Sequence, residues 1–210
     1  MIILEHVTKA FSNNLVLDDL SIEFEAGKSY AITGYNGCGK SVLLKVICGF
    51  SKPTAGRVFV DGQEIGRQID FIQNAGISIN APEFINSMTG LENLLALASI
   101  RKKIGKEQIL QTVAQLELEP FIHQKVKTYS LGTKQRLRLA QAMMEQPQIL
   151  ILDEPMNALD QKMVEWVTRL LNQFVQQGKT LLFTSHHAQD IDTLASDIYE
   201  FDQRKLRRVC

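Results

Sequence analysis

Apolar residues are spaced in two ways along this chain, and the change between them divides it in three. The first stretch alternates. Ile2 to Val7 and Ser21 to Phe24 read as strands, the second setting Ile22 and Phe24 between polar neighbours ahead of an Ala26-Gly27 turn. They are material for an antiparallel sheet, separated by a polar loop from Lys9 to Asn14 that carries one aromatic residue, Phe11. Arg57 to Val60 is another strand, with an Asp61-Gly62 turn after it, and Gly76 to Ile79 a short one that leads into Asn80-Ala81-Pro82. From about Ser87 to Gln146 the period becomes helical. Thr89-Gly90-Leu91-Glu92 is a capping box ahead of Leu94, Leu95, Leu97 and Ala98; Ile109, Leu110, Val113 and Leu116 recur at helical spacing; and Ser130 opens a helix with Leu137, Leu139, Ala140 and Met143. The last stretch returns to strands. Ile149 to Leu152 and Leu181 to Thr184 are almost purely apolar, which predicts burial on both faces in a parallel sheet flanked by helices. Between them Asp160 caps a helix bearing Met163, Val164, Val167, Leu170, Leu171 and Phe174, with Gly178 past its end. The expected organisation is a single domain: residues 1–80 and 147–210 form a core, and residues 81–146 an inserted helical subdomain. The basic run from Arg204 to Arg208 reads as a solvated tail.

Composition excludes more than it assigns. Lys and Arg total 23, equal to Asp and Glu, so net charge gives no reason to expect nucleic acid or an anionic membrane as a partner. No apolar run reaches the ~18 residues needed to cross a bilayer. The first residues lack a signal-peptide pattern, and three cysteines without metal-like pairing suit a reducing compartment. A cytosolic protein is expected.

The candidate chemistry begins where the apolar run Tyr30-Ala31-Ile32 meets Gly34-Tyr35-Asn36-Gly37-Cys38-Gly39-Lys40-Ser41, followed by the helical Val42 to Ile47. Strand, G-x-x-x-x-G-K-[ST] loop and helix together are a phosphate cradle. Glycines let successive N–H groups turn towards phosphate oxygens, the helix start adds its positive end, Lys40 supplies a point charge, and Ser41 is placed to ligate magnesium. An ordinary glycine turn would need neither the lysine nor the serine. Cys38, beside Lys40 and a helix start, is in a setting that lowers a thiol pKa, although a small residue tolerated in the loop is the favoured account of it. A second acidic site ends the strand Ile149 to Leu152: Asp153-Glu154-Pro155. Two carboxylates there are costly unless charge is needed. In a nucleotide site the first can hold magnesium through water, and the second can orient or deprotonate an attacking water.

With Tyr129-Ser130-Leu131-Gly132-Thr133-Lys134-Gln135-Arg136 about twenty residues upstream of that strand, essentially the whole chain resembles the ATP-binding cassette (ABC) transporter ATPases. Ser130, Gly132, Gln135 and Arg136 match the family signature LSGGQ-x-Q-R, while Leu131 and Thr133 depart from it. Asn157 to Asp160 resembles the D-loop, His186 in Thr184-Ser185-His186 the switch histidine, and Phe11 the aromatic residue that stacks on adenine. Asn80 stands where the family has the Q-loop glutamine. It keeps the amide but is one methylene shorter, so a bridging water to magnesium replaces direct ligation. Gln73 precedes the strand and is too far from Pro82 for that role. Asn80, the Ser-Leu-Gly signature and Thr89 to Leu94 look most like the bacitracin and lantibiotic self-protection exporters.

The resemblance implies an α/β P-loop NTPase of the ABC type, with parallel RecA-like strands, N-terminal antiparallel strands and the inserted helical subdomain. It implies ATP hydrolysis with magnesium, Glu154 and His186 being catalytic and Asp153, Ser41 and Asn80 serving the metal. Phe11 and Gly34 to Val42 would bind ATP on one chain, while Ser130, Gly132 and Gln135 would contact the nucleotide of the other. The expected partners are a second cassette, identical or paired, and a separate transmembrane permease docked near Asn80 to Ser87, placing the chain on the cytoplasmic face of the membrane. A soluble ATPase acting on nucleic acid would usually bring a second cassette, a coiled coil or a basic face. A P-loop kinase would need neither the serine-glycine signature nor the switch histidine.

Overall fold

The computed structural model describes every residue except 13, 81–83 and 210. The chain begins with β1 (Ile2–Phe11), β2 (Asn14–Phe24) and β3 (Ser29–Thr33), then α1 (Lys40–Cys48). Next come β4 (Ala55–Val60), β5 (Gln63–Glu64) and β6 (Ala75–Ser78). The helical stretch holds α2 (Gly90–Arg101), α3 (Lys106–Gln115), a 3-10 turn (Val126–Thr128) and α4 (Leu131–Met143). The chain closes with β7 (Ile149–Asp153), α5 (Gln161–Gln176), β8 (Thr180–Thr184), α6 (Ala188–Leu194), β9 (Asp197–Asp202) and β10 (Lys205–Arg208).

These strands form two sheets. One is antiparallel with order β2-β1-β4-β5; the other has order β10-β9-β3-β8-β7-β6, parallel from β9 to β6 with β10 antiparallel at its edge. The apolar strands divide their side chains as expected for burial on both faces. Leu150, Leu152, Leu181 and Phe183 join the cluster formed with α2, α3, α4 and α5, while Ile149, Ile151 and Leu182 join the one formed with α1 and the antiparallel sheet. The inserted helices therefore share a core with one face of the parallel sheet rather than enclosing one of their own.

Two expectations are corrected. Lys9 to Phe11 belong to β1, and the pairing runs on through Lys9↔Leu17, Ala10↔Leu15 and Phe11↔Asn14, so most of the expected polar loop is strand. Register shifts after Leu4, Val7 and Lys9 interrupt the two-residue period and hid the strand's length. The basic run is not a tail: Lys205 to Arg208 pair with Asp202 to Tyr199, and Arg208 meets the buried carboxylate of Asp197. That strand was obscured because its only buried side chain is Leu206.

Candidate functional site

The carboxyl ends of β3, β7 and β8 converge because the three strands are parallel neighbours in register, with Ile32 opposite Thr184 and Asp153 opposite Thr184. The phosphate-type loop leaves β3 at Thr33. A side chain on Gly34 would come within 2.9 Å of Cys38 Sγ and Phe201 Cβ, so the loop closes only over a glycine there. Gly39, at φ 120, is the N-cap of α1 and offers no capping side chain, and the first turn holds no acidic residue. Nothing anionic from this helix competes for its first N–H groups. Lys40, 7% exposed, donates Nζ to the carbonyls of Gly34 at 2.6 Å and Tyr35 at 3.2 Å, holding its charge inside the loop. Tyr35, Asn36 and Gly37 form the exposed rim, and Ser41 and Val42 begin the partly buried helix. Cys38 is buried, 6% exposed, within this loop.

A chain of hydrogen bonds ties the loop to the acidic strand end. Ser41 Oγ donates to Asp153 Oδ2 at 2.6 Å, and Thr184 Oγ1 donates to Asp153 Oδ1 at 2.7 Å while accepting the Glu154 N–H at 2.8 Å. The Glu154 carboxylate lies 3.0 Å from His186 Nδ1. Thr184 was missed as a site residue in the sequence. Its signal was a hydroxyl closing an otherwise apolar strand, and its partner is visible only once β7 and β8 are paired. The ring of His187 lies 3.9 Å from that of His186 but is not bonded to Glu154.

Whether magnesium suits these residues can be judged from their donors. Among the described residues no three His, Cys, Asp or Glu side chains gather as a metal cage. The Ser41 hydroxyl and Asp153 carboxylate are instead a pair of hard oxygens beside a phosphate-type loop, the donor set of a magnesium that takes its remaining oxygens from phosphate and water. The residues fit.

The signature residues face two ways. Ser130 is exposed and N-caps α4, its Oγ accepting the Thr133 N–H at 3.1 Å and lying 2.9 Å from Thr133 Oγ1. The departure at Thr133 thus supplies a buried hydroxyl that braces the serine. A methyl on Gly132 would sit 2.7 Å from the Ala158 carbonyl oxygen, so the glycine is required where the D-loop segment crosses α4. Leu131, 73% exposed, projects beside them. Gln135 is placed otherwise than expected. It is 6% exposed and its Nε2 donates to the carbonyls of Glu154 at 3.3 Å and Pro155 at 2.9 Å, so its side chain is engaged inside its own chain.

The remaining positions lie around this centre. Phe11 ends β1, half exposed, with Lys9 Nζ 4.7 Å from its ring centroid, and does not pack back into the sheet. Asn80 is exposed, two residues past Ser78, which pairs with Leu152; it lies at the Asp153 end of the sheet, in left-handed backbone at φ 53. Gln73 precedes β6 and bonds the Phe71 carbonyl at the opposite end. Of the proposed docking stretch from Asn80 to Ser87, residues 81–83 lie outside the described residues.

This arrangement is that of a nucleotide-hydrolysing cassette, and the comparisons give its family. A profile of the ABC transporter family matches residues 17–157, and the chain belongs to that family as one of its ATPases. It is 37% identical over 206 residues to an uncharacterized ABC transporter ATP-binding protein, YybJ, of Bacillus subtilis, covering 98% of this chain and 94% of that one. It is 32% identical over 196 residues to the bacitracin transport ATP-binding protein BcrA of Enterococcus faecalis, covering 92% of this chain but 64% of that longer protein. The dimeric, post-hydrolysis structure of the ATP-binding cassette MJ0796 bound to ADP and Pi matches with a TM-score of 0.89 and 27% identity, covering 100% of this chain and 98% of that one.

Proposed function

We propose that this ATPase works as a pair of chains that close over two ATP molecules and thereby drive a separate transmembrane permease, in the direction of export. The observation that carries the reading is the hydrogen-bonded series Ser41, Asp153, Thr184, Glu154, His186, which joins a phosphate loop to a carboxylate poised beside an imidazole. In this reading Lys40 and the first N–H groups of α1 hold the phosphates, and Phe11 stacks on the adenine. Ser41 and Asp153 would hold magnesium, with Asn80 a further candidate for that site, and the metal would supply charge neutralisation at the phosphates. Glu154 accepts the proton of the attacking water, and His186 donates to the γ-phosphate. Ser130, exposed at the N-cap of α4, and Gly132, half-buried in its first turn, serve the nucleotide bound to the other chain.

A groove of about 330 Å³ between β6, α2 and α4, walled by Phe50, Ile77, Ile79, Leu97 and Ile100, extends the docking surface expected near Asn80 to Ser87. Phe50 and Ile100 on its rim are exposed, and an apolar groove with a polar rim formed by Arg101 and Glu145 suits a permease helix. No helix among the described residues is long and apolar enough to cross a membrane. The relative named for bacitracin transport supports the transport reading.

Glu154→Gln is expected to bind ATP, lose turnover by about 100-fold or more, as for loss of a general base, and accumulate as an ATP-dependent dimer in light scattering. A monomeric, fully active variant would sink the reading. Stimulation of the wild-type ATPase by membranes carrying its copurified permease supports the partner; stimulation by RNA or DNA instead overturns it.

A further inference from the structure

Arg138 is a cation in an unusual place. It lies on α4, partly buried, and among the described residues no carboxylate pairs with it. Its buried Nε has no partner among them either, and burial lowers its pKa from the ordinary guanidinium value. Such a group is costly to retain unless its remaining contact matters. That contact is with Gln135, one turn earlier: Arg138 Nη1 donates to Gln135 Oε1 at 3.1 Å.

The chemistry of the pair is directional. A glutamine amide can present oxygen or nitrogen on either side, whereas a guanidinium can only donate. Arg138 therefore fixes the oxygen of Gln135 towards itself and turns the NH2 towards the carbonyls of Glu154 and Pro155. The reversed amide would set oxygen against both carbonyls. The segment so held needs holding. Glu154 sits at φ 51, in the left-handed region that a residue with a side chain occupies at a cost, and its N–H is fixed from the other side by Thr184.

We propose that Arg138 is a positioning residue for hydrolysis: it sets the polarity of the Gln135 amide, which in turn fixes the backbone that aims the Glu154 carboxylate. This rests on the reading of Glu154 as the catalytic base. It also ties α4, which Ser130 caps, to the backbone of Glu154 within the same chain.

Arg138→Met, which keeps the apolar stem and removes the donors, tests it in the full-length protein alongside Arg138→Lys, Gln135→Met, the double variant and Glu154→Gln. Arg138→Met should lower kcat about tenfold, the size of one lost charge-assisted hydrogen bond, with KM for ATP within about twofold. Its melting temperature should stay within ~3 °C of wild type, since it also removes the unpaired Nε. Arg138→Lys should recover most of the loss. In the Gln135→Met background Arg138→Met should do no further harm. An unchanged kcat in Arg138→Met, a matching rise in KM, a lowered melting temperature with no rescue by lysine, or additive losses in the double variant would each overturn the proposal. Glu154→Gln separates the two readings: if it retains turnover, the assignment of the base fails whatever Arg138 does.

Discussion

At the scale of single residues, this site is built from side chains that hold other side chains. Thr184 touches both carboxylate residues at once, through Asp153 Oδ1 and the Glu154 N–H, and Thr133 braces the exposed Ser130. Phe11 instead lies half exposed at a strand end, with Lys9 over one face of its ring. Because aromatic stacking on a base contributes about 1–3 kcal/mol, Phe11→Ala should raise KM for ATP about tenfold with kcat nearly unchanged, and Phe11→Tyr should restore it. Steady-state kinetics over a range of ATP concentrations measures both. Most of these residues were legible because glycine loops, paired carboxylates and a serine at a helix start are rare combinations at those spacings. The burial of Gln135 was not legible, because a motif gives the neighbours in sequence but not which side of a helix faces inward.

Among the elements, α2 shows local sequence acting alone. Thr89 Oγ1 accepts the Glu92 N–H at 3.1 Å, and Glu92 Oε2 accepts the Thr89 N–H at 2.7 Å, completing the capping box read from Thr89 to Glu92. The Thr89 backbone and side-chain hydrogen bonds hold the Glu92 carboxyl below its ordinary range. A depressed folded-state pKa means the stabilisation is complete above the unfolded carboxylate value near ~4.3 and is lost as pH falls through the lower folded value. Thr89→Ala, which removes the N-cap hydrogen bond itself, should cost about 1 kcal/mol near neutral pH in urea titrations. The gap between wild type and Glu92→Leu should shrink as the pH is taken below about 4. By contrast β1 and β2 were only partly legible, since bulges broke the alternation on which a strand is recognised.

For the whole molecule, the consequence is a division of labour between surfaces. The phosphate loop and Glu154 lie at the carboxyl end of the parallel sheet, while Ser130 is exposed at the N-cap of α4, where the proposed pairing would bring it to a second copy. Mixing tests this directly. A chain carrying Lys40→Ala and one carrying Ser130→Arg should each be inactive, and equal mixing should restore activity in roughly a quarter of sites, the share that random pairing leaves intact in a two-fold dimer. A mixture as inactive as its components would show that each chain uses its own Ser130.

The sequence alone determined the chemistry available: a glycine loop with Lys40 and Ser41, the carboxylates Asp153 and Glu154, and the capped helices between them. Such features are local, since backbone turns and helix caps are made by residues a few positions apart. Only the tertiary structure decided which groups meet. Parallel pairing brings Thr184 to Asp153, 31 positions away, α4 turns Gln135 onto the Glu154 backbone, and the edge pairing with β9 makes a strand of Lys205 to Arg208. Those contacts depend on strand register and helix rotation, which are set by burying both faces of the parallel sheet at once.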